Sequence, residues 1–130
     1  MTYENQPRIM TDIKNGNLEE VIKYYSNVGD INQKIKYHYV YKDLKGNDKH
    51  SDREILPVVL AAQNCQLDVL KYMCGIGAVL PDDIIYSVIF LADSSELIKI
   101  LYEFGANIEY VSNTNVSLYG VAVFNTAYNS

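Results

Sequence analysis

The chain has 130 residues, enough for one domain or one short array of repeats. Hydrophobic residues make up 48% of it and charged residues 21%, which is typical of folded, water-soluble proteins and excludes a disordered chain. The formal net charge of −5 argues against nucleic acid as a partner and suggests a basic protein partner instead.

The first helix pair is predicted near the N-terminus. Pro7 can open a helix over PRIMTDIKN, because proline at the first helical position gives up no hydrogen bond. The Asn15–Gly16 break separates it from a second helix, whose apolar residues recur at helical spacing. These residues are Leu18, Val21, Ile22 and Tyr25. Gly29 can then end the second helix in a left-handed conformation.

Residues 33–54, QKIKYHYVYKDLKGNDKHSDRE, differ from the rest of the chain in composition and period. They hold six of the eleven basic residues and carry a net charge of +2, against −7 for the remainder. Their first half alternates with a period of two, which predicts a strand, and Gly46–Asn47 is the expected turn. One side of the strand would hold Ile35, Tyr37, Tyr39 and Tyr41, and the other Lys36, His38, Val40 and Lys42.

Two interpretations of this segment stay open. It is either a mobile, solvated loop or a binding finger that projects from the fold. In the second case the tyrosines would supply large, rigid contact area together with a hydroxyl group.

Two further helix pairs are predicted after the insertion. Pro57 can open PVVLAAQN and Pro81 can open PDDIIYSVIFLA, and a second amphipathic helix follows each after a short break. Cys65 stands where a turn glycine is expected, so Asn64 is predicted to take the strained turn geometry. A fourth first helix is predicted to start near Ser117, and the chain ends where its partner should begin.

The second helices repeat one another. VIKYYSNVGD from Val21, VLKYMCGIGA from Val69 and LIKILYEFGA from Leu97 align without a gap. LPVVLAAQNCQLDVLKYMCGIGA, from Leu56 to Ala78, resembles a full ankyrin repeat. GNLEEVIKYYSNVGDIN and SELIKILYEFGANI resemble its second half. The resemblance implies stacked helix pairs, stabilised by neighbouring apolar faces, that bind a partner through a concave face.

The sequence departs from the ankyrin pattern at defined places. Leu56 and Val59 replace the Thr and His of the family signature, so the side-chain hydrogen bonds that tie neighbouring repeats are expected to be missing. The closing glycines Gly29, Gly77 and Gly105 are 48 and then 28 residues apart. Because the family period is about 33 residues, the first interval carries an insertion and the second is shortened.

These patterns predict an all-α fold. It would be a short ankyrin-like solenoid of antiparallel helix pairs, with a β-hairpin-like or disordered finger inserted after the first pair. The expected divisions are repeat 1 at about 5–32, the finger at 33–54, repeat 2 at about 55–80, repeat 3 at about 81–109, and a partial repeat or C-terminal cap at 110–130.

The sequence also indicates where the protein works. No apolar run reaches the roughly 20 residues of a membrane-spanning helix, so a membrane partner is not expected. The opening residues MTYENQPRIM lack the apolar segment of a signal peptide. Cys65 and Cys74 are nine residues apart and match neither a metal-binding nor a redox motif, which favours a reducing, cytoplasmic location.

No catalytic constellation is predicted, and no cofactor, metal or small-molecule ligand is expected. The predicted function is a non-catalytic protein-interaction module, for example an inhibitor or immunity-like protein for a basic partner. The predicted partner contacts are Tyr37, Tyr39, Tyr41, Lys42, Tyr86, Tyr110, Asn113 and Tyr119. The alternative is an N-terminal structural segment of a larger protein whose function lies downstream of residue 130.

Overall fold

The computed structural model describes residues 2–4, 6–27, 29–89, 91 and 94–107. Within these ranges the chain forms six helices and three strands. The helices are α1 (Arg8–Asn15), α2 (Leu18–Asn27), α3 (Pro57–Gln63), α4 (Leu67–Gly75), α5 (Ile84–Val88) and α6 (Ser95–Glu103). The strands are β1 (Thr2–Glu4), β2 (Ile35–Lys42) and β3 (Asp48–Ile55). None of the helices in this part of the chain is both long and apolar enough to cross a membrane. The helix predicted near Ser117 lies outside the described residues.

The all-α prediction is wrong, because the chain has a mixed α/β fold. β2 and β3 pair antiparallel over their whole length, from Ile35↔Ile55 to Lys42↔Asp48. β1 pairs antiparallel with β2, so the sheet has the order β1-β2-β3. Tyrosine and valine favour strands, and their frequency in β2 stabilises the β2–β3 pair within the insertion. The three residues of β1 are too few for a period to be visible in the sequence.

The helices form three consecutive pairs that stack in two rows. α1 packs on α2, α3 on α4 and α5 on α6. One row consists of α1, α3 and α5, and the other of α2, α4 and α6. Val21, Val69 and Leu97, which are equivalent in the aligned decapeptides, are all buried in one core. Ile22 is 36% exposed, because α2 begins its row and no described helix precedes it. Burial of neighbouring apolar faces therefore holds these pairs together.

A second set of equivalent residues lies in the same core. Tyr25, Met73 and Leu101 all contact it, Met73 and Leu101 as fully buried side chains and Tyr25 as a half-buried one. Burial raises the pKa of Tyr25 above its usual value, so its hydroxyl stays neutral well into the alkaline range. These two positions of the aligned decapeptides thus have comparable surroundings. The closing glycines differ, because Gly77 and Gly105 take the left-handed conformation and Gly29, predicted to take it, does not.

Two amide side chains link successive helix pairs. Asn32 Nδ2 donates to the carbonyl oxygen of Gly77 at 3.2 Å, and the backbone N–H of Val79 donates to Asn32 Oδ1 at 2.8 Å. Gln66 Nε2 donates to the carbonyl oxygen of Lys14 at 2.7 Å. These bonds join segments about 50 residues apart in the chain. They tie neighbouring pairs in a protein that lacks the Thr and His of the ankyrin signature.

The turn between α3 and α4 and the start of α5 differ from the predictions. Cys65 takes the left-handed conformation with φ of 53°, whereas Asn64 has φ of −100°. The prediction for Asn64 is therefore wrong, and its side chain instead donates to the carbonyl oxygen of Leu60 at 2.8 Å. α5 begins at Ile84 rather than at Pro81. This helix is therefore shorter than predicted, as is the interval between Gly77 and Gly105 that contains it.

Replacing Cys65 by glycine is expected to stabilise the protein by about 0.5–1 kcal/mol. A left-handed conformation costs an ordinary residue about 1–2 kcal/mol, and the backbone entropy of glycine offsets about half of the gain. The Cys65 side chain is exposed, so its removal sacrifices little packing. Urea-induced unfolding would measure the difference. Cys65→Ala is the control, since it keeps the strain, and a glycine variant no more stable than the alanine variant would contradict this account.

Candidate functional site

The β2–β3 hairpin is anchored at its base and exposed toward its tip. Ile35 is buried, and Tyr37 and Ile55 pack against the helical core at the same end of the ladder. Every residue from 44 to 50 is exposed. The distal half of the hairpin therefore projects from the helical array and is accessible to a partner.

The turn at the tip is ordered by hydrogen bonds. Asp43 Oδ1 accepts from the backbone N–H groups of Lys45 and Asn47, both at 2.9 Å, and the Asp43 N–H donates to the Asn47 carbonyl oxygen at 3.0 Å. Gly46 supplies the positive φ of 81° that the turn requires. Leu44 is 108% exposed and stands at the apex of this turn. The ordered turn thus exposes an apolar side chain to solvent at the tip of the hairpin.

One face of the hairpin combines tyrosines with cations. Directly opposite residues of an antiparallel pair project to the same face, so the register defines its members. This tyrosine face consists of Ile35, Tyr37, Tyr39, Tyr41, Lys49, Ser51, Arg53 and Ile55. The Tyr39 and Tyr41 ring centroids are 5.4 Å apart, and Arg53 Cζ lies 4.9 Å from the Tyr39 ring centroid. No carboxylate belongs to this face, so its charge is positive.

The opposite face pairs its own charges. This charged face consists of Lys36, His38, Val40, Lys42, Asp48, His50, Asp52 and Glu54. Lys36 Nζ lies 4.0 Å from Glu54 Oε1, and Lys42 Nζ lies 2.9 Å from Asp48 Oδ1. The hydrogen bond from Lys42 holds the pKa of Asp48 below its usual value. These cross-strand pairs place Lys36 and Lys42 next to carboxylates of the hairpin itself.

Histidine and aspartate side chains form a connected network on the charged face. His38 Nδ1 lies 2.9 Å from Asp52 Oδ1, and His38 Nε2 lies 3.0 Å from His50 Nδ1. The two imidazole rings are inclined by 30°, with centroids 5.2 Å apart. Because a carboxylate accepts, His38 carries a hydrogen on Nδ1. The remaining nitrogen therefore faces His50, and the two rings share one hydrogen between them.

The structure divides the predicted contact residues into separate places. Tyr37, Tyr39 and Tyr41 lie together on the tyrosine face, whereas Lys42 lies on the charged face and pairs with Asp48. Tyr86 lies on α5, half-buried against the helical core. The other three predicted contacts, Tyr110, Asn113 and Tyr119, lie outside the described residues.

Four hairpin residues that the structure brings into the site were not predicted as contacts. They are Leu44, Lys49, Arg53 and His50, which contacts His38. The segment DKHSDREI has no apolar alternation and does not read as a strand. In the structure a five-residue turn, Asp43–Asn47, separates the strands and places Lys49 opposite Tyr41. The predicted two-residue turn at Gly46–Asn47 is therefore wrong, because it would have placed Asp52 opposite Tyr41.

Comparison with known proteins provides no family assignment. No protein-family model matches the chain. No match is found among curated proteins either.

Proposed function

We propose that the chain is a non-catalytic protein-interaction module of the cytoplasm, a divergent ankyrin-like array that recognises its partner mainly through the tyrosine face. The observation that carries this proposal is the arrangement of Tyr39, Tyr41 and Arg53 on an ordered, projecting hairpin. Tyrosine and arginine are the residue types in which binding energy is most often concentrated at protein interfaces. Stacked helix pairs supply the rigid base.

The tyrosine face is organised for contact before a partner arrives. Each tyrosine has only two side-chain torsions, and the Arg53 guanidinium is placed over the Tyr39 ring. The Asp43 turn fixes the tip of the hairpin, where Leu44 is exposed. Such preorganisation lowers the entropy cost of association, because fewer side chains must be immobilised on binding.

Charge indicates the chemistry of the partner. Lys49 and Arg53 make no ion pair within the described residues, so carboxylates on a partner would complement them. The chain outside residues 33–54 has a net charge of −7. A partner that also covers the helical array would present basic groups to it, as expected for an inhibitor of a basic enzyme or toxin. Affinity in that case should fall steeply with added salt.

Neutralising the two cations of the tyrosine face is expected to reduce partner capture strongly. The test variant is Lys49→Gln/Arg53→Gln, and the matched control is Lys36→Gln/Lys42→Gln, which removes the same charge from the charged face. Loss of interface hot spots weakens binding about tenfold or more, whereas loss of peripheral charge changes it little. Tagged full-length chains would be incubated with lysate of the producing cell, and retained proteins quantified by mass spectrometry.

The decisive result is a protein that the wild type and the control retain and the tyrosine-face variant loses. Retention of the same proteins by all three chains would contradict the proposal. Far-UV circular dichroism and thermal unfolding of each variant would check that the fold is intact. A Tyr39→Ala/Tyr41→Ala variant separates aromatic contact from charge, and it should lose the same protein.

A further inference from the structure

The network on the charged face brings two imidazole nitrogens, His38 Nε2 and His50 Nδ1, within 3.0 Å of each other. His38 lies opposite Asp52 and His50 lies opposite Val40, so the two histidines are diagonal neighbours across the β2–β3 ladder. They are the two histidines of the chain. We infer that His38 and His50 bind a divalent transition-metal ion such as Zn²⁺, with Asp52 orienting His38. This inference is independent of the proposed partner binding.

The distance between the two nitrogens fits a shared metal ion. Zinc–imidazole bonds are about 2.0–2.1 Å long, so two nitrogens on one ion lie about 2.9 Å apart at a right angle and about 3.4 Å apart at the tetrahedral angle. His38 Nε2 and His50 Nδ1 are 3.0 Å apart. The separation of the two nitrogens therefore fits one shared ion, which would replace the hydrogen between the rings once both rings turn their lone pairs toward it.

The outer contacts of His38 favour this role. Metal-bound histidines usually donate their second ring N–H to a carboxylate or carbonyl, which fixes the tautomer and makes the ligand more basic. Asp52 Oδ1 accepts in that way from His38 Nδ1 at 2.9 Å. In the neutral ring, the Nε2 lone pair then accepts the hydrogen of His50 Nδ1 when no metal is bound. Metal binding would shift the His50 hydrogen to Nε2, which leaves both Nε2 of His38 and Nδ1 of His50 for the ion.

Electrostatics also favour a cation on the charged face rather than on the tyrosine face. Among the residues of β2 and β3, the charged face has three carboxylates, Asp48, Asp52 and Glu54, and two ammonium groups, Lys36 and Lys42. It has an excess of one negative charge with neutral histidines, whereas Lys49 and Arg53 give the tyrosine face two positive charges. Imidazole nitrogen selects zinc, nickel and copper over magnesium and calcium, which prefer oxygen ligands.

Water completes the coordination. Among the described residues, no group of three or more His, Cys, Asp and Glu side chains is placed to hold a metal ion. Two protein ligands give reversible binding rather than the closed coordination of a structural zinc site. A bound ion would cross-link β2 and β3, so it should stabilise the hairpin through preferential binding to the folded form.

The experiment titrates the full chain with zinc chloride by isothermal titration calorimetry. We expect one zinc ion per chain and a loss of at least tenfold in affinity for both His38→Gln and His50→Gln. Asp52→Asn keeps both ligands and should weaken binding about 10–100-fold. Glu54→Gln removes the same charge from the same face without touching His38. It should leave the affinity within about twofold, because salt screens exposed charges.

The outcomes separate a built site from incidental binding. Zinc binding that is unchanged in both histidine variants would place the metal on other groups, including the cysteine thiols, and would overturn the inference. An absence of binding at millimolar zinc would do the same. Equal affinities for Asp52→Asn and Glu54→Gln would overturn the orienting role of Asp52. Zinc-induced shifts of both imidazole groups in NMR spectra of the wild type would support the site directly.

Discussion

Replacing Met73 by alanine should lower the free energy of unfolding by about 3–4 kcal/mol. Met73 is fully buried in α4, the central helix of its row. Its truncation removes apolar contacts and leaves a cavity that the flanking helices α2 and α6 cannot fill without moving. Ile76→Ala is the control, because Ile76 is 44% exposed at the end of the same helix and should cost under about 1 kcal/mol.

Urea unfolding followed by far-UV circular dichroism would measure both changes. In a short stacked array each pair contacts only its neighbours, so damage to the middle pair weakens two interfaces together. The Met73 variant should therefore unfold in one transition at lower denaturant concentration, without a separately stable pair. Similar costs for the Met73 and Ile76 variants would show that the stacking described for α2, α4 and α6 is wrong.

Gly16→Ala is expected to cost about 2–3 kcal/mol, a large effect for one methyl group. Gly16 ends α1 with φ of 71°, which costs an alanine about 1–2 kcal/mol. A Cβ at this position would also overlap Oε1 of Gln66. Gln66 would have to move and give up its hydrogen bond to the Lys14 carbonyl oxygen, at a further cost of about 1 kcal/mol.

Two comparisons separate these contributions. Gly46→Ala places a methyl group at a similar φ of 81° with no atom within 4 Å, so it should show the backbone cost of about 1–2 kcal/mol alone. In a Gln66→Ala background, Gly16→Ala should likewise cost about 1–2 kcal/mol. A double-mutant cycle without coupling between Gly16 and Gln66 would disprove the contact between the first two helix pairs.

The helices could be predicted from the sequence because their apolar pattern is local and occurs three times. Val21, Val69 and Leu97 recur in the same frame of three decapeptides, and an apolar residue at helical spacing is buried wherever a neighbour can cover it. The left-handed conformation of Cys65 was harder to predict. The sequence pattern marks the turn, but the packing of α3 against α4 decides which residue absorbs the strain.

Only β2 could be predicted from the sequence, because it is the strand with a clear local pattern. β2 alternates strongly, but β3 is polar on both faces and β1 has three residues, so neither shows a pattern of its own. The pairing of Lys42 with Asp48 and the contact between His38 and His50 depend on register. Register is set by turn geometry and by partners distant in sequence, and composition does not contain that information.

The paired ends of the hairpin have a consequence for how such a protein can diversify. Ile35 and Ile55 face each other where the two strands leave the helical array and rejoin it. Because closure is already achieved at that point, a longer or shorter ribbon would add little entropy cost and would leave the helices undisturbed. The segment beyond the Tyr37 contact and the β1 pairing, from Tyr41 to Lys49, can thus be exchanged as a cassette, so new specificities can arise by grafting while the scaffold is inherited unchanged.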